Sequence, residues 1–182
     1  MRRRSKQEKK AGQRRTVDVK RFVITYLLLM GGFFFLIGFK PIQDVIDLNG
    51  IYTTVIVFLT SKILYLVNIK TSIEGSIIRL PSIALDVKFG CNGLEAVMIY
   101  SVAVIAFPAS VRRKLTGIIA GFFVIQAINV IRIAGLAYSG VYYKELFKII
   151  HIYVAQGVMI AVALGIFLIY LNYAGKSGKN LA

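Results

Sequence analysis

Residues 115–138 read LTGIIAGFFVIQAINVIRIAGLAY, and Arg132 is the only charged residue in that run. The stretch is long enough to cross a bilayer as a helix, which takes about 17–25 residues. A charge at the centre of such a helix costs roughly 2.5–3.5 kcal/mol on insertion scales. A chain that keeps one uses it to face a partner or a wet site. The chain has one cysteine, Cys91, and one histidine, His151. Whether Arg132 meets them decides the chemistry.

The rest of the sequence agrees with a membrane reading. Hydrophobic residues make up 57%, charged residues 17%, and the mean hydropathy is +0.71. Segments 22–38, 93–108, 115–139 and 152–173 are almost free of charge. The sequence therefore predicts an all-α integral membrane helical bundle with four spans. The first 21 residues hold ten Lys or Arg out of a net charge of +15. Directly before an apolar span, such a tail reads as a positive-inside signal rather than a nucleic-acid arm. No aromatic residue interleaves its charges, so no nucleic-acid partner is expected. No small-residue cleavage site follows the first apolar run, so no cleavable signal is expected. The domain reading is a basic cytoplasmic tail (1–21), one membrane-embedded domain (22–173) and a short basic cytoplasmic tail (174–182).

Two segments depart from simple spans. Within 51–67, Lys62 interrupts the apolar pattern, and Thr53, Thr54, Thr60 and Ser61 recur at helical spacing. This segment is expected to be an amphipathic or re-entrant helix at the outer interface. Farther on, Ile83, Leu85, Val87 and Phe89 alternate with Ala84, Asp86 and Lys88, a strand pattern. With 73–79 as partner and a turn near Leu80-Pro81-Ser82, a small extracytoplasmic β-hairpin precedes Cys91. The basic clusters at Arg112–Lys114, Lys176 and Lys179 should share the cytoplasmic side with the N-terminal tail. At ~1.5 Å per helical residue, Cys91, Arg132 and His151 then stand ~30, ~27 and up to ~37 Å above that side. The protein is expected in the cytoplasmic membrane with these residues facing outward.

Their types suit acyl transfer. Cys91 lies at a helix entrance, where free N–H groups and a partial positive charge favour a thiolate. Gly90 and Gly93 let the backbone turn around the sulfur, and the Asn92 and Gly93 amides are placed to hold an oxyanion. His151 is a candidate general base and acid. Arg132 is a candidate cation for thiolate or oxyanion, with Asn129 one turn earlier to orient it. Glu95 is an alternative partner for Arg132. One Cys and one His do not make a tetrahedral zinc set, and neither metal nor cofactor is implied.

At Cys91-Asn92-Gly93-Leu94, Asn129-Val130-Ile131-Arg132 and His151, the chain resembles the exosortase/archaeosortase family over roughly residues 45–172, most closely its small exosortase H branch. The resemblance implies a membrane cysteine transpeptidase with Cys91 as nucleophile, Arg132 as catalytic arginine and His151 in the third position. It implies exported proteins as substrates, each ending in a short motif, a membrane helix and a basic tail. It also implies a thioester intermediate and transfer to a lipid or other envelope acceptor. Many relatives carry Ser or Thr where this chain has Asn92. A reading from another class is a non-catalytic scaffold or small transporter that uses Arg132 to bind an anionic lipid or solute.

Overall fold

In the computed structural model, the apolar run around Arg132 lies inside one helix of 32 residues. The structure describes residues 19–38, 48–88, 90–149, 151 and 156–176. The elements, in order, are α1 (Val19–Gly38), α2 (Leu48–Leu66), β1 (Ser72–Glu74), β2 (Ile77–Arg79), β3 (Ala84–Asp86), α3 (Leu94–Ala106), α4 (Val111–Tyr142), α5 (Lys144–Ile149) and α6 (Gln156–Lys176). Three helices are long and apolar enough to cross a membrane: α1, α4 and α6. Two shorter apolar helices, 50–66 and 94–106, accompany them. Most of the first and last expected tails, 1–18 and 177–182, lies outside the described residues, as does Phe89 of the strand pattern.

The expected span at 93–108 is a helix of 13 residues, about 20 Å long at 1.5 Å per residue. Its limits are local. Gly93 at its start has φ +83°, a left-handed conformation that does not belong inside a helix. Phe107 at its end is extended because Pro108 follows and disfavours helical geometry before it. The next helix begins at once, so Arg112, Arg113 and Lys114 occupy its first turn rather than a loop.

The polar stripe of α2 faces inward. Thr53, Thr60 and Ser61 are buried, while Ile51, Val55, Phe58 and Leu59 are exposed. The helix therefore offers an apolar face outward and a polar face to the protein, the reverse of an interfacial helix on a soluble core. Asn68, at φ +59°, ends it in the left-handed position typical of a helix stop, and the Ile69 N–H donates to the Leu64 carbonyl.

The strands form a three-stranded antiparallel meander rather than a two-stranded hairpin. The expected partners pair as Ile78↔Leu85 and Arg79↔Ala84, around the turn expected at Leu80–Ser82. A further two-residue turn at Gly75–Ser76 adds β1 through Glu74↔Ile77. The alternation holds: Leu85 and Val87 are buried, Ala84, Asp86 and Lys88 exposed. On the outer face, Arg79 Nη2 lies 2.7 Å from Glu74 Oε2 and holds that carboxyl below its usual range. The Ser76 hydroxyl donates to Asp86 at 2.7 Å and, with Lys88, does the same there.

Two hydrophobic clusters divide the interior. One joins α2, the sheet and the C-terminal half of α4 through Val57, Leu64, Ile78, Val87, Ile133 and Ala137. The other joins α3, α4 and α6 through Tyr100, Val104, Ile125, Met159 and Tyr170. At one end of the bundle, Arg113 donates to the Ala174 carbonyl (3.2 Å) and Lys114 to the Ile105 carbonyl (2.5 Å). Cations thus meet the C-terminal ends of α6 and α3, where the helix dipoles are negative. The α3–α4 contact is close: the Tyr100 hydroxyl donates to the Gly117 carbonyl at 2.8 Å, and the ring lies where a Gly121 side chain would be.

Gly121→Val should therefore lower stability by about 1–3 kcal/mol, the usual range for overpacking. Gly135→Ala, with nothing within 4 Å of the new methyl, should not. Thermal melts of the detergent-purified variants check this; equal melting points would refute the packing account.

Candidate functional site

Cys91 lies in the turn that leaves the sheet and enters α3, half-buried and free of any disulfide. The turn is tight. The Lys88 carbonyl accepts from the N–H of Cys91 (2.8 Å) and of Asn92 (3.0 Å). Gly90 (φ +88°) and Gly93 (φ +83°) supply the left-handed residues that such a reversal needs. The Asn92 N–H, expected from the sequence to face an oxyanion, is thus engaged within the turn.

The Asn92 side chain is fully buried and ties the turn to two elements. Its Nδ2 donates to Thr53 Oγ1 of α2 at 2.9 Å, and its Oδ1 accepts the Leu94 N–H at 3.1 Å. The second bond satisfies one of the free N–H groups at the start of α3. Asn92 is therefore a holder of the turn, and Thr53 is a partner that the sequence showed only as part of a polar stripe.

From the other side, α4 presents three polar residues at a spacing of three: Gln126, Asn129 and Arg132. Arg132 Nη2 donates to the Cys91 carbonyl at 2.6 Å, a short charge-assisted bond. The same guanidinium lies within hydrogen-bonding reach of the Cys91 side chain. Asn129 is fully buried and Gln126 nearly so, and both pack on Gly93. A Cβ on Gly93 would lie 2.7 Å from Asn129 Nδ2 and 3.0 Å from Gln126 Nε2. Asn129 thus seats the Cys91 turn through Gly93, and among the described residues its amide makes no hydrogen bond by which to orient Arg132 as the sequence suggested. Gln126 was missed, although its place on the Asn129–Arg132 face was a usable signal.

In front of the turn lies a groove of about 380 Å³. Its walls are apolar or aromatic: Phe22 and Tyr26 of α1, Ile99 and Ala103 of α3, Ala163 and Phe167 of α6. At its polar end are Gly90, Gly93, Glu95 and Arg132. The structure thus brings together Cys91, Asn92, Gly93, Glu95, Asn129 and Arg132. His151 is half-buried, and like Cys91 it is not itself a lining residue. Its ring stacks on Phe147 at 5.7 Å. Phe147 packs on the same hydrophobic cluster as Cys91, so its ring joins His151 to that neighbourhood. Among the described residues, no three His, Cys, Asp or Glu side chains gather as a metal site.

The Cys91 turn at the head of α3 and the Asn129–Arg132 segment of α4, which meet here, are two of the three motifs on which the sequence resemblance rested, His151 being the third. The sequence model of the family described as "Transmembrane exosortase (Exosortase_EpsH)" matches residues 12–170. The chain belongs to the transmembrane exosortase family. The match takes in α1, α4, most of α6, the sheet and the whole Cys91–Arg132 neighbourhood. No curated protein and no solved structure matches this exosortase significantly.

Gly93→Ala should cost about 1–3 kcal/mol, since it adds a left-handed Cβ and a collision. Adding Asn129→Ala removes the collision and should restore part of the loss, a non-additivity that neighbouring residues show. Melting of the two single variants and the double variant measures it; strict additivity would show that the two residues do not press on one another.

Proposed function

We propose that this exosortase-family membrane protein is a cysteine transpeptidase whose nucleophile is Cys91 and whose catalytic arginine is Arg132. The observation that carries the reading is the 2.6 Å bond from Arg132 to the Cys91 carbonyl, with the same guanidinium in reach of the sulfur. A fixed cation at that place pairs with negative charge on the sulfur during attack. It also stands where negative charge develops when the sulfur attacks a carbonyl. The Cys91 thiol would attack a peptide carbonyl presented from the groove, its proton passing on to the leaving nitrogen. The carbon–nitrogen bond then breaks, leaving the upstream part as a thioester on Cys91. An acceptor nucleophile takes the acyl group and returns the thiol.

The groove supports a substrate class. Its apolar walls suit a chain segment that enters from the membrane, and exported proteins with a C-terminal motif, membrane helix and basic tail present one. The acceptor in this reading is a lipid or another envelope molecule. His151 is assigned the acceptor's proton on the resemblance alone. The expected setting is the cytoplasmic membrane, with the Cys91 turn facing the extracytoplasmic side.

The test is co-expression with an exported protein that ends in a short motif, an apolar helix and a basic cluster. Cys91→Ala and Arg132→Ala should each abolish its processing, and Arg132→Lys should lose most of it, because an ammonium does not reproduce the guanidinium fork. Full processing by Cys91→Ala would sink the mechanism and leave the scaffold or transporter reading. A membrane-impermeant thiol reagent should label Cys91 in intact cells from outside; labelling only after lysis would reverse the proposed orientation.

A further inference from the structure

A cysteine that cleaves an amide must solve a second problem besides attack. The leaving group is an amine, and it departs as a neutral molecule only if a proton reaches its nitrogen as the bond breaks. Arg132 does not give up a proton at physiological pH. Of the other described titratable side chains that line the groove, Tyr100 spends its hydroxyl on the Gly117 carbonyl, and Tyr26 stands on the far wall, on α1. His151, like Cys91 itself, is not among the lining residues. The remaining group is Glu95.

Its position is specific. Glu95 lies in the first turn of α3, four residues after Cys91. Its side chain folds back over the turn, with Oε2 at 3.5 Å from the point that a Gly90 Cβ would occupy. Gly90 precedes Cys91 and leaves that space open. The carboxyl is half-buried and shares the polar end of the groove with Arg132 and Gly93. It thus touches the space in which a scissile peptide would lie.

We propose that Glu95 is a proton carrier of the acyl-transfer site, taking the Cys91 thiol proton and delivering it to the departing amine. The step rests on the transpeptidase reading and balances without a further reagent. The proton moves from sulfur to the Glu95 carboxylate as the sulfur–carbon bond forms. It moves from the carboxylic acid to nitrogen as the carbon–nitrogen bond breaks, and the carboxylate is regenerated. The competing role is structural: a carboxylate in the first turn of a helix favours the helix dipole whatever the chemistry.

Leaving-group dependence separates the two. With p-nitrophenyl octanoate the leaving phenolate needs no proton, and at pH 9 a thiol ionises largely without help, its ordinary pKa being about 8.5. The full-length protein in membranes at pH 9 is offered this ester, with Cys91 acylation followed by mass spectrometry. In parallel it is offered a purified exported protein carrying the sorting signal, with cleavage followed on gels. Glu95→Gln should acylate within about twofold of the parent but cleave the protein at least ~100-fold more slowly, the scale of general acid catalysis. Glu95→Asp should recover part of the cleavage. Cleavage at the parent rate by Glu95→Gln overturns the proposal, and so does loss of ester acylation together with cleavage, which marks a structural role. Cys91→Ala should show neither reaction; if it still cleaves the protein, the transpeptidase reading fails, rather than the proton route alone.

Discussion

A guanidinium inside an apolar helix needs a partner, and here the partner is the backbone of the one cysteine, Cys91. The Arg132–Cys91 bond joins the middle of α4 to the entrance of α3. Much else in the structure serves that approach. The two helices come close because glycines face Tyr100 on α3. The turn itself must pass beside Asn129 and Gln126, and only a residue without a side chain fits there, which is Gly93. Behind the turn, Asn92 reaches α2 through Thr53. Three helices and the sheet therefore converge on one short segment, 88–94, and each holds a different part of it. A charge that would be costly alone is offset by a short, charge-assisted bond and by the packing that surrounds it.

The two hydrophobic clusters give the site a back and a front. The sheet, α2 and the far half of α4 form a dense back on which Cys91 rests. The front is the groove between α1, α3 and α6, and α1 contributes only a thin wall, since none of its span is buried. Cys91 thus sits between a packed back and the apolar groove. The polar end of the groove carries both signs of charge, Arg132 and Glu95, within surroundings where few other groups exchange protons. That pairing is what allows acyl transfer to be written with atoms of this chain alone.

Much of this was legible from residues. The long apolar helices, the strand alternation at 83–88, the turn at Leu80–Ser82 and the common depth of Cys91 and Arg132 came from periodicity and charge, whereas their pairing came from the family resemblance. The inward stripe of α2 was visible as a stripe but not as inward. Periodicity locates a polar face without saying whether water or protein covers it, and in a membrane the usual answer reverses. The third strand was missed because Ser72–Glu74 is too short to show alternation. The short length of α3 was present in Gly93 and Pro108, yet apolar composition alone suggested a full span.

By itself, the sequence determined the membrane class, the long helices, the family and the residue types able to do acyl transfer. Those properties are local, set by composition, by short periodic patterns and by glycine and proline at fixed places. Only the tertiary structure decided which side chains meet. It brought Gln126, Thr53 and Glu95 to the Cys91 turn and set the His151 ring against Phe147. Such choices depend on how far each helix is rotated about its axis and where it crosses its neighbours. A rotation of half a turn keeps every local pattern and exchanges every partner.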